Sequence, residues 1–160
     1  MSILTSWSAF AQTLPDLPAT IKPGDLKPYF SVAAKGAQIY VCGKNANGAA
    51  AWMLKGPEAE LFDNSGKTVG KHYVGPTWEG LDGDKVVGAV KSSADAPDAN
   101  AISWLLLDIK SREGKGRFTE AVGILRIMTV GGKPPASGCD EARAGAEQRV
   151  PYAAMYVFLK

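Results

Sequence analysis

The acid–base chemistry open to this chain narrows to one imidazole, because His72 is the only histidine in the sequence. It lies in Gly70-Lys71-His72-Tyr73-Val74-Gly75-Pro76-Thr77-Trp78-Glu79-Gly80, beside one aromatic residue and shortly before a second aromatic and a carboxylate. One histidine cannot build a His-His metal site within a chain, so no metal is expected and any imidazole base must be His72. A histidine oriented by a carboxylate is a general base with a pKa near neutrality, which makes His72 and Glu79 the first catalytic pair to weigh. Strand alternation puts His72 and Tyr73 on opposite faces, and Trp78 and Glu79 likewise. The Gly75-Pro76 break leaves the two pairs' relative position open. The structural alternative has Pro76 fixing a turn, Trp78 plugging a core, and Glu79 tying down an amide or His72.

A nucleophile is missing from any recognisable frame. No G-x-S-x-G occurs, and Ser137-Gly138-Cys139 does not fit a strand-to-helix elbow. The two cysteines, Cys42 and Cys139, stand 97 positions apart, too far for a CxxC redox pair. In an exported protein they read as one long-range disulfide, which rules out a Cys-His dyad; the alternative is two reduced thiols. Asp140 has two readings: an N-cap for a following helix, or a site carboxylate sharing a proton with Glu147 beside His72. Asp95, Asp98 and Asn100 supply oxygens but lack the spacing of a calcium loop. The aromatic residues Tyr73, Trp78 and Tyr152 suit stacking on a sugar ring or another small amphipathic ligand; otherwise they are core pieces, as Trp104 in an apolar run is expected to be.

These side chains must be positioned by strands. Short runs of β-branched and aromatic residues recur between turn residues every 8–12 positions, the pattern of an all-β domain, either barrel or sandwich. Strands are expected at 37–42, 50–55, 58–62, 68–73, 77–80, 86–91, 102–109 and 152–159, with 118–130 more strand than helix. The 102–109 run is nearly continuous apolar and should be covered on both faces. Turns fall at Asn45–Gly48, Asp63–Gly66 and Asp82–Asp84, and the basic cluster around Arg112-Glu113-Gly114-Lys115 reads as a solvated hairpin end. Asp140 to Gln148 carries the only clear helix composition, giving one short helix near the C-terminus.

The chain has 160 residues, enough for one core in a single domain. Its apolar fraction of 46% is that of an ordinary globular protein, and its formal charge of +2 gives no nucleic-acid footprint. No stretch has the ~20 apolar residues of a membrane span. Residues 1–11 end in Ala9-Phe10-Ala11, the small-x-small pattern of a clipped signal-peptide remnant. Residues 12–30 form a proline-rich extended lead-in, and 31–160 the β-domain. A periplasmic or secreted location is therefore expected.

Four segments together resemble the family catalogued as domain of unknown function 3455, found in bacteria and fungi and often exported. They are Gln38-Ile39-Tyr40-Val41-Cys42, His72 through Glu79, Ala136-Ser137-Gly138-Cys139-Asp140 and Val150-Pro151-Tyr152. The resemblance runs from about residue 20 to 160 and implies no established activity and no cofactor. Some fungal members carry the label malate dehydrogenase. With no G-x-G-x-x-G after a strand and no βαβ alternation, this sequence does not support it. Three functions stay open: an exported domain binding a small molecule, glycan or envelope component; a hydrolase- or isomerase-type enzyme with His72 as acid/base; and a structural or interaction module.

Overall fold

The computed structural model describes residues 14–160; the expected signal remnant at 1–11 lies outside them. Eight antiparallel strands pair in sequence order: β1 (Pro28–Lys44), β2 (Ala50–Phe62), β3 (Thr68–Tyr73), β4 (Thr77–Gly80), β5 (Lys85–Ala94), β6 (Trp104–Glu113), β7 (Gly123–Gly131) and β8 (Glu147–Leu159). β8 also pairs with β1, from Pro28↔Leu159 to Val41↔Glu147, so the sheet closes on itself as a barrel and not as a sandwich.

Two of the tight turns use one device. The side-chain oxygens of Asn45 and Asp63 each accept from the amides two and four residues on, which closes the β1–β2 and β2–β3 hairpins. The strands between such turns alternate. On β8, Tyr152, Ala154, Tyr156 and Phe158 face the barrel interior, while Met155, Val157 and Leu159 face out. The apolar β6 is covered on both faces: Leu105 and Leu107 belong to the interior, Trp104 and Leu106 to the outside. The outer cover is the lead-in, whose Leu14, Leu17, Ile21 and Leu26 pack on Trp104, Leu125 and Ile127.

The barrel's ends differ. At the end holding Phe30, the rings of Phe30, Phe118 and Phe158 meet edge to face or tilted at 5.1–5.2 Å and fill the interior. Beside them Asp84, buried, accepts from the Phe118 amide and holds the turn at Phe118–Glu120. The opposite end carries the β1–β2, β3–β4, β5–β6 and β7–β8 connections. There the disulfide Cys42–Cys139 ties β1 to the last of these, with Cα atoms 5.4 Å apart.

Three expectations need correction. The helix near the C-terminus does not form: only a single 3-10 turn, Glu141–Arg143, follows Asp140. Gly145, at φ +86, ends it, and Glu147, Gln148 and Arg149 join β8 opposite Val41, Tyr40 and Ile39. Strand pairing with the long β1 outweighs a weak local helix propensity. Secondly, β1 begins at Pro28, inside the expected lead-in and well before Ala37. Thirdly, the expected 118–130 strand divides into a 3-10 turn at Phe118–Glu120 and β7 from Gly123.

Candidate functional site

His72 faces the interior from β3, and its register partner Trp78 does so from β4. The two rings stack with centroids 4.5 Å apart and planes 24° from parallel. His72 Nδ1 lies 2.8 Å from the Thr77 carbonyl oxygen, which can only accept, so Nδ1 carries the proton. Nε2 is thereby the acceptor, and the Tyr156 hydroxyl donates to it at 3.1 Å. Tyr152 completes the row, its hydroxyl 3.2 Å from that of Tyr156. Burial pushes the imidazole pKa down to about 3, opposed by the Thr77 hydrogen bond and assisted by the Arg126 charge. His72 is therefore neutral at pH 7. Burial also raises the pKa of Tyr156 and of Tyr152, so both stay protonated.

Glu79 is on the other side of the wall. It pairs in register with Lys71, and its carboxylate accepts from the Tyr73 hydroxyl at 2.9 Å and lies 3.2 Å from Lys71 Nζ. Those two partners hold its carboxyl below the usual range, Tyr73 first. The alternation that separates His72 from Tyr73 also separates it from Glu79, so the sheet does not bring the pair together. Asp140 is exposed at the disulfide end, where its carboxylate caps the 3-10 turn by accepting from Arg143 N at 3.0 Å. Glu147 pairs with Lys55 and not with Asp140. Of the expected ligand-binding aromatics, Trp78 and Tyr152 are inside and Tyr73 is outside.

Above the His72–Trp78 stack, the disulfide end of the barrel is not filled. A cavity of about 330 Å³ opens there, with Trp78, Leu105, Leu107, Tyr156, Gln38 and Arg126 on its walls. Its rim is apolar and wet: Leu54, Val74 and Val90 are each 57–61% exposed. Three ladder irregularities sit at this rim, opposite Ile39/Tyr40 on β2, at Val90/Ser92 on β5 and at Ile127/Val130 on β7. Bulges bend strands and re-aim side chains, and the last of these places Met128 at φ 53. The β3–β4 turn closes the rim through a cis Gly75-Pro76 bond. Gly75 has φ +149, and a Cβ there would fall 2.3 Å from Thr77 Oγ1, so the turn requires glycine.

Gln38 and Arg126 were not singled out from the sequence. Both sit in ordinary strand runs, and the available signal was a polar residue at an inward position: Arg126 between Leu125 and Ile127, Gln38 between Ala37 and Ile39. Among the described residues no group of three or more His, Cys, Asp or Glu is placed to hold a metal ion, and no helix is long and apolar enough to cross a membrane.

Comparison with curated proteins and with solved structures finds no match. The model of one family, described as Protein of unknown function (DUF3455), matches residues 23–160, from the end of the lead-in through all eight strands and the cavity, and the chain belongs to that family.

Proposed function

We propose that this protein is an exported binding barrel that takes a small, largely apolar molecule into its open end. The observation that carries this reading is the unfilled cavity of about 330 Å³ behind an exposed apolar rim. A barrel of eight strands is wide enough to hold one small ligand. Exposed Leu54, Val74 and Val90 are costly in water unless they guide or cover something. The volume lies at the low end of small-molecule sites, which favours a compact ligand over an oligosaccharide. Export is supported by the Cys42–Cys139 disulfide, a bond that persists in oxidising compartments. The neutral dye phenylnaphthylamine, which brightens in apolar surroundings, tests the site. Saturable binding is expected, and Val90→Trp, a change at an exposed rim position, should abolish it without lowering the melting temperature. Absence of saturable binding, or binding indifferent to Val90→Trp, would sink the reading.

Acid–base catalysis on the bound molecule is the second reading, and one observation favours it. The hydrogen-bonded row Tyr152–Tyr156–His72–Thr77 borders the cavity through its two middle members, Tyr156 and His72. Here His72 acts only as the acceptor for the Tyr156 proton, because its own proton is held by Thr77. Glu79 and Asp140 take no part. A ligand chemically unchanged after long incubation with the protein, analysed by mass spectrometry, would leave binding alone.

A further inference from the structure

Two cations border the cavity, and they are not equivalent. Lys55 is exposed and has its carboxylate, Glu147. Arg126 points into the barrel from β7, between Leu125 and Ile127, which pack outside. Its Nε and Nη2 donate to one acceptor, the Ser103 carbonyl, at 3.0 and 2.8 Å. None of the ion pairs among the described residues involves it, and residues 1–13 contain no Asp or Glu.

Its neighbours supply no negative charge either. The guanidinium acts by its charge on Tyr40, Tyr152 and His72, and on Tyr156 by a side-chain hydrogen bond as well; buried phenols stay protonated and the imidazole is neutral. A charge partly withdrawn from water without a counter-charge is costly. Holding the Ser103 carbonyl explains one contact of the guanidinium and not its charge, since a neutral donor would serve. An arginine fork has five N–H donors in a geometry matched to carboxylate oxygens, and here two of them are spent on Ser103.

Resting on the reading of this cavity as a ligand site, we propose that the ligand is an apolar carboxylic acid, bound as its anion with the carboxylate on Arg126 and its hydrocarbon against Trp78, Leu105, Leu107 and Val90. The missing counter-charge is the ligand's. Charge-assisted, two-pronged contact to the carboxylate fixes the head, and the walls accept the tail by apolar burial alone.

The test compares three probes of one chain length, octanoate, octanol and octylamine, by calorimetry at neutral pH, with phenylnaphthylamine displacement as a second readout. Octanoate is expected to bind at least about tenfold more tightly than octanol, with octylamine weakest, a preference equivalent to about 1.4 kcal/mol or more. Arg126→Gln should remove that preference while retaining dye and octanol binding, and Arg126→Lys should keep part of it. If dye and octanol bind but octanoate binds no better, the acid assignment fails and the cavity reading stands. If no probe binds, both fail together. A preference for octanoate that persists in Arg126→Gln would place the anchor elsewhere and overturn the assignment. The wild-type series decides the head-group preference even if the variants fold poorly.

Discussion

The two ends of the barrel interior are built from the same strands and solve opposite problems. At the closed end Phe30, Phe118 and Phe158 interlock, and the buried carboxylate of Asp84 is spent on the Phe118 amide. At the open end Gln38, Arg126 and Tyr156 stand among apolar walls, and an interior volume of about 330 Å³ is left empty. A fold needs the first arrangement. The second lowers stability, through contacts not made and polar groups partly desolvated, and such a loss is retained at sites of function. The step between the two regions is the row of His72, Trp78 and Tyr156, packed on one side and lining the cavity on the other.

Removing a ring from the closed end gives the sharpest contrast. Phe118→Ala should cost about 3–5 kcal/mol in denaturant unfolding, as for other large buried aromatics, and leave octanoate affinity unchanged; a loss of affinity equal to the loss of stability would show that the ends are not independent. Next, Cys42→Ser with Cys139→Ser releases the connection at the open end. The loop it closes spans 97 positions, so stability should fall by about 2–5 kcal/mol, read as a lower urea midpoint. A midpoint unchanged by reduction would mean that the end is held by packing alone.

The intermediate row carries a pH signature. His72 has its ordinary pKa of 6.5 in the unfolded chain and about 3 when folded. Between those values the unfolded chain holds the extra proton, so stability falls as pH drops through that window, by about 1.4 kcal/mol per unit. His72→Gln should flatten this dependence by one proton, measured by urea midpoints from pH 7 to 4; parallel curves for the two proteins would contradict a neutral buried imidazole. The smallest effect is expected outside the wall. Glu79→Ala should leave both melting temperature and ligand affinity within error, because its partners Tyr73 and Lys71 are at the surface. A large loss of binding would restore it to the site.

Alternation and turn chemistry carried most of the fold. The strand positions of 68–73 and 77–80 were readable to the residue, and Asn45 and Asp63 mark the β1–β2 and β2–β3 hairpins by side-chain acceptors that act locally. Barrel closure was not readable, because it depends on β1 finding β8 across most of the chain. The same long-range pairing drew Glu147 to Arg149 out of a locally plausible helix. At the candidate site, His72 was legible as the one histidine in the sequence, and Trp78 and Tyr152 only as aromatic residues that could equally be core pieces. The separation of His72 from Glu79 was implicit in alternation, yet the Gly75-Pro76 turn had to be seen before their sides could be fixed. Arg126 and Gln38 were hidden because nothing in a strand run states which face is inside until both neighbours are known.

Closure also constrains the order in which this molecule can be assembled. β1 is 17 residues long and its second neighbour is the last strand made, so during synthesis it offers an extended, unsatisfied edge until β8 arrives. Contacts so distant along the chain form slowly, and an open sheet of this length is a template for pairing with other chains. A fragment lacking β8 is thus not a smaller barrel but an adhesive one, and a nascent chain of this kind benefits from being kept apart from its copies until translation has passed Leu159.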